Sequence, residues 1–142
     1  MGYPKTMYPT GLAAGYEHSP APSQGGSLIT VPESALTAPN SPVEIYDPVV
    51  VAGGFTGICV TPPSGVGADC VIQTCGIFTL PVVASDDDST ANVVMGATLY
   101  IDDSTGVISL DATTGHTPYG IALAALSGSA TAANIPIKLL TL

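Results

Sequence analysis

Thr98-Leu99-Tyr100-Ile101, then Asp102-Asp103-Ser104-Thr105-Gly106, then Val107-Ile108-Ser109-Leu110 is the stretch that decides the fold. Two short runs of β-branched, aliphatic and aromatic residues flank acids, hydroxyls and a glycine. The runs predict antiparallel strands, and Gly106 supplies the positive φ that a reversing turn needs. The same unit recurs along the chain. Val49-Val50-Val51, Ile58-Cys59-Val60, Val71-Ile72, Ile77-Phe78, Ile121-Ala122-Leu123 and Ile135-Pro136-Ile137 are separated by breaks rich in Gly, Pro, Asp or Ser. No helix-period stretch of comparable length interrupts them. Short strands at such spacing predict an all-β domain, a small β-sandwich or barrel.

In more detail, residues 43–46 and 49–52 predict a first strand or pair of strands, kinked at Asp47-Pro48. Gly76 reads as a bulge within a strand that runs from 69 to 80, since an isolated strand glycine often marks one. Residues 85–92 read as a polar loop, and 119–126 with 135–140 as the closing strand pair.

Residues 1–42 differ in kind. They hold seven of the thirteen prolines, five of the sixteen glycines, and Tyr3, Tyr8 and Tyr16. Such a segment cannot bury enough apolar surface by itself to offset its ordering entropy. The chain therefore divides into an extended N-terminal arm, 1–42, and a β domain, 43–142. Tyrosines spaced along an extended chain make good anchors, each burying a large ring at the cost of few rotors. The expected partner-binding residues are Tyr3, Pro4, Tyr8, Pro9 and Tyr16, with Leu28, Ile29 and Val31 adding a strand to a neighbour's open edge. The alternative is an arm folded back on its own domain.

Charge is scarce. Only 9% of the 142 residues are charged, there are eleven Asp and Glu against two Lys, and the net charge is −9. Phosphate neutralisation needs clustered Lys and Arg, so no nucleic-acid partner is expected, and anionic membrane surfaces are disfavoured on the same grounds. The mean hydropathy of +0.46 does not make a membrane protein. The longest stretch without Asp, Glu, Lys or Arg, 112–137, is broken by Gly115, Pro118, Gly120, Gly128 and Pro136. A spanning helix needs about 20 mainly apolar residues. No apolar signal segment opens the chain, and Met1-Gly2 with Thr6 matches a myristoylation pattern only formally. A surface of Ser, Thr, Ala, Gly and Pro suits dry contact with other chains. Cys59, Cys70 and Cys75 are odd in number and lack Cys-x-x-Cys spacing, so free buried thiols are expected, with a Cys59–Cys70 disulfide as the alternative.

No catalytic, cofactor or metal site is evident. Asp86-Asp87-Asp88 is consecutive, whereas a calcium loop spaces its acids alternately and adds a Gly and a bidentate Glu. His18 and His116 are too few for a metal centre of their own. A hydrolase would need His116 beside Asp111 with a serine in a concave pocket, and no Gly-x-Ser-x-Gly elbow accompanies them. Gly65-Val66-Gly67 lacks the third glycine and the helix of a dinucleotide site. No enzyme activity and no cofactor are expected.

From Val43 onward the chain resembles the capsid cement (decoration) proteins of tailed bacteriophages. The likeness is carried in order by four stretches. These are Val49-Val50-Val51-Ala52-Gly53-Gly54-Phe55-Thr56-Gly57-Ile58; Gln73-Thr74-Cys75-Gly76-Ile77-Phe78-Thr79-Leu80-Pro81; the hairpin from Gly96 through Ile108; and Tyr119-Gly120-Ile121-Ala122-Leu123-Ala124-Ala125-Leu126 with the C-terminal strand. Ile101 stands where that family commonly has Trp, and Lys138 stands in a less basic final strand. The resemblance implies a virion structural protein of the capsid exterior, made in the host cytoplasm. Its partners would be the major capsid protein and itself, as a homotrimer seated between capsomers and stabilising the shell against internal DNA pressure. The alternative is a host- or glycan-binding module on the virion surface.

Overall fold

A computed structural model describes residues 28–52, 54–65 and 67–140. Its described part is built from two antiparallel sheets and one short 3-10 turn, Glu33–Ala35. The smaller sheet holds β1 (Leu28–Pro32), β2 (Pro48–Val50), β3 (Thr56–Thr61) and β4 (Asp69–Gln73), in spatial order β1-β4-β3-β2. The larger holds β5 (Ile77–Asp86), β6 (Ser89–Thr90), β7 (Thr98–Asp102), β8 (Ile108–Ser109), β9 (His116–Ala122) and β10 (Ser129–Leu139), in order β6-β5-β10-β9-β7-β8. The all-β expectation is met. The larger sheet curls on itself: just beyond β8, the Leu110 N–H donates to the carbonyl of Ser85 on β5 at 2.9 Å.

Period-two patterning builds the first core. Along β5, Leu80, Val82 and Ala84 are buried while Ile77, Thr79 and Pro81 face outward. Along β10, Ile135, Ile137 and Leu139 point inward and Lys138 outward. The register sets Ile135 against Leu80 and Ile137 against Phe78, so like faces meet. Leu99, Ile101, Ile108 and Tyr119 complete this core. Each fully buried aliphatic side chain contributes about 1.5–3 kcal/mol.

β2 and β3 alternate between two cores. Val50 and Ile58 belong to the first, whereas Val49 and Cys59 belong to a second with Val31, Val43, Cys70 and Ile72. Leu36, Ala38 and Phe55 pack against that second cluster. The small sheet is therefore covered on both faces, one by the curled sheet and the other by residues 33–43. That covering segment is tied down by paired backbone bonds between Thr37 and Val50, at 2.8 and 3.0 Å.

Four local expectations change, the first at residues 85–92, where a tight turn joins β5 to β6 in place of an open polar loop. Residues 43–46 form a turn instead of a strand. The Asp47 carboxylate takes the Glu44 N–H at 2.9 Å, which bends the chain so that β2 begins at Pro48. Gly76, at φ +121, is not a bulge within one strand. It is the point where the chain passes from β4 in the small sheet to β5 in the large one. Residues 28–42, expected in the arm, supply β1 and the cover of the second core. The hairpin glycine, by contrast, serves as expected. Gly106 has φ +76, and a Cβ there would stand 2.8 Å from the backbone of Ala38 and Pro39, so the cover segment also presses on this turn.

One polar contact joins the layers. The fully buried Tyr119 on β9 donates its hydroxyl to the Gly57 carbonyl on β3 at 2.7 Å. Burial pushes the phenol far above its ordinary pKa, so it stays a neutral donor. Tyr119→Phe deletes that bond while keeping the ring. It should lower unfolding free energy by about 1–2 kcal/mol in chemical denaturation, with the slope unchanged.

Candidate partner-binding surface

Tyr3, Pro4, Tyr8, Pro9 and Tyr16 lie outside the described residues. Leu28, Ile29 and Val31 lie in β1, which pairs antiparallel with the chain's own β4, from Leu28 against Gln73 to Pro32 against Asp69. Val31 is buried in the second core and Ile29 packs against it. The strand-forming tendency read from these residues is thus used within the chain's own sheet, where β1 forms one edge.

The chemistry tested in the sequence comes partly together. His116 opens β9, and its Nε2 lies 3.3 Å from Asp111 Oδ2 and 3.8 Å from Asp102 Oδ2. The ring's Nδ1 faces the Thr113 hydroxyl at 3.5 Å. That hydroxyl, however, donates to Asp111 Oδ1 at 2.6 Å, and the Ser104 hydroxyl donates to Asp102 Oδ1 at 2.6 Å. Among the described residues no serine hydroxyl is hydrogen-bonded to the imidazole. The hydroxyls serve the carboxylates, so the constellation ties two turns together.

The acids elsewhere also act as turn parts. Asp87 and Asp88 form a two-residue hairpin turn between β5 and β6, with Asp87 at φ +53, a conformation Asp tolerates better than most residues. Among the described residues no group of three or more His, Cys, Asp or Glu could hold a metal ion. Cys59, Cys70 and Cys75 are free thiols. Burial, then the neighbouring Cys70 and Asp47, pushes Cys59 up to about 11. Burial, then Glu33 and Asp69, raises Cys70 as well. Both thiols are therefore poor nucleophiles near neutral pH.

What the surface offers instead is exposed apolar side chains. Ile77, Val94, Met95 and Val107 are exposed, the last beside an apolar cavity of about 190 Å³ walled by Pro39, Pro48, Pro81 and Val83. Ile45 and Tyr46 stand out at the turn before β2, 50% and 59% exposed. The pattern of residues 43–46 predicts a strand for these two. The signal that could have found the turn is Asp47-Pro48, since Asp before Pro favours a turn whose acid caps its own backbone. Lys138 projects from the outer face of β10 between Ile77 and Ile121, on the other sheet from this turn.

The two carboxylates around His116 carry a pH dependence. Partial burial alone would raise Asp102, but bonds from Ser104 and Thr105 outweigh it and hold the carboxyl below its ordinary value. The Thr113 hydroxyl and amide, with His116 adding less, lower Asp111. A depressed carboxyl stabilises the fold above its unfolded pKa, here 3.8, and loses that contribution as pH falls through the lower folded value. The wild type should therefore lose Tm between about pH 5 and pH 2 by more than the D102N/D111N double variant does. Paired thermal melts across that range check it.

A family model described as phage cement protein matches residues 24–139, taking in β1 and the cover segment as well as the strands beyond residue 43. No curated protein and no solved structure matches the chain significantly. With most of its length under that match, and with every strand of both sheets inside it, the chain belongs to the phage cement protein family.

Proposed function

We propose that this protein binds the outer surface of the major capsid shell between capsomers, as a homotrimer, and stabilises the shell against the pressure of packaged DNA. The single observation that carries the reading is the family match over residues 24–139, which assigns a capsid-associated structural part. The physical character of the chain supports it. A cement protein works by adding contact area, so it needs a stiff framework and surfaces that desolvate cheaply. The described part supplies two sheets with buried cores, and the chain as a whole has 9% charged residues. Desolvating hydroxyls and small side chains costs far less than desolvating ions. The function proposed is mechanical, without catalysis or a cofactor. The acidic excess opposes binding to nucleic acid.

The grip is assigned to the N-terminal segment, through Tyr3-Pro4, Tyr8-Pro9 and Tyr16, which precede β1. An extended chain advances about 3.3 Å per residue, so the residues ahead of Leu28 can reach tens of ångströms across a subunit boundary. Leu28, Ile29 and Val31 would hold the root of that arm to the domain. The division at residue 42 is accordingly moved in the test, because deletion to that point would remove β1 and uncover the second core.

The test compares shells carrying full-length protein, protein lacking residues 1–27, and none. Full-length protein should bind and raise the temperature of capsid disruption, and the truncated form should bind at least about tenfold more weakly. Absence of full-length binding to shells would overturn the assignment. A truncated form that binds equally well would move the grip to the β domain.

A further inference from the structure

We propose that Ile45 and Tyr46 are a prebuilt anchor that enters an apolar cleft rimmed by lysine or arginine on the shell protein. This rests on the shell-binding reading above and names a contact on the β domain that is separate from the N-terminal grip.

Conformation is the first ground. Tyr46 has φ +66, in the left-handed region that Gly and Asn adopt cheaply and a bulky side chain does not. A backbone in such a state persists only where its surroundings over-determine it. Here they do. The Tyr46 N–H donates to the Cys59 carbonyl at 2.6 Å, and the Cys59 N–H donates to the Asp47 carbonyl at 2.9 Å. The Asp47 N–H donates to the Glu44 carbonyl at 3.2 Å. The Asp47 carboxylate, itself buried, takes the Glu44 N–H and the Asn40 side-chain amide, each at 2.9 Å. Yet the tyrosine ring for which this conformation is tolerated is mostly outside the fold. Glycine or asparagine would fit the turn with less strain, so the benefit of Tyr46 lies in what its ring touches elsewhere.

Charge identifies the partner. Glu33, Glu44, Asp47 and Asp69 lie at this end of the small sheet. The Asp47 carbonyl takes the Cys59 N–H, Glu33 accepts the Val43 N–H at 3.3 Å, and Asp69 pairs with Pro32 at the end of β1. The described lysine, Lys138, is on the other sheet. A second copy of this chain would bring further acid to the contact, from a molecule of net charge −9. A complementary surface is therefore basic around an apolar centre. Buried aromatic anchors ringed by polar contacts carry most of the affinity in protein interfaces, and charge around them speeds encounter and makes it salt-dependent.

The experiment measures binding of wild type, Tyr46→Asn and Ile45→Ser to undecorated shells, together with Tm and sedimentation. Asparagine accepts the left-handed φ, so Tyr46→Asn should keep or raise Tm and keep the oligomeric state. Its affinity for shells should fall at least about tenfold. Wild-type binding should weaken as salt rises, and the slope should be unchanged in Ile45→Ser. Equal binding by Tyr46→Asn, with wild type binding well, overturns the anchor and leaves the shell reading standing. A fall in Tm in Tyr46→Asn overturns it too, since the ring would then serve the fold. Loss of self-association with shell binding intact would make a second copy the occupant, and wild-type binding to a glycan array abolished in Tyr46→Asn would make a sugar the occupant. Either overturns the proposal. Wild type that binds no shell overturns the shell reading itself.

Discussion

β3 is the wall shared by two cores, and the hydroxyl of Tyr119 on the carbonyl of Gly57 joins it to the curled sheet behind. With few charges, the chain has little recourse to ion pairs, and the described ones all involve His116. Cohesion between layers must come from apolar burial plus the few polar contacts that burial encloses. A strand buried on both faces is hydrophobic at successive positions, and Ile58 and Cys59 obey that rule by facing opposite cores. Such a strand is only tenable if something covers its second face. Residues 33–43 do so, which is why an apparently featureless proline-rich stretch is part of the domain. Gly57 fits the same constraint: a Cβ there would stand 2.5 Å from an Ile72 side-chain methyl.

The parts of this arrangement legible in the sequence are those set by neighbours along the chain. The hairpin around Gly106 could be read because strand periodicity and turn chemistry lie within a dozen residues. The proximity of His116 to Asp111 was likewise readable as a local possibility. What escaped depends on distant pairing. Nothing in Leu28-Ile29-Thr30-Val31 says that its partner is β4, some forty residues on, instead of another chain's edge. Gly76 announces a positive φ, but a bulge and a change of sheet both use one. Val43-Glu44-Ile45-Tyr46 alternates like a strand, and the Asp47 carboxylate, by taking the Glu44 N–H, helps turn it into a bend. Hydrophobic pattern lost there to side-chain capping.

The candidate surface divides along the same line. The N-terminal tyrosines are proposed as anchors from composition alone, since Tyr3, Tyr8 and Tyr16 lie outside the described residues. The exposed Tyr46 was not visible, because its significance lies in a backbone angle. A tyrosine in a strand is ordinary. Held at positive φ with most of its surface in water, it runs against local preference, and functional positions are where such conflicts concentrate.

The net charge of −9 also means less at the surface than the number suggests. Asp47 is buried and occupied by Asn40 and the Glu44 backbone. Asp102 and Asp111 each accept several bonds from turn hydroxyls and amides, and Glu33 accepts from the backbone of Val43 and Gly67. These carboxylates are structural acceptors in a chain that has almost no cations to offer them. Their fields persist even so, because a hydrogen bond does not cancel a charge. The protein thus meets a partner with Glu33, Asp47, Asp102 and Asp111 fixed in place by the turns that carry them. Fixed charge costs less ordering entropy on binding than charge on a free side chain, and at the Tyr46 end of the small sheet it favours a basic surface.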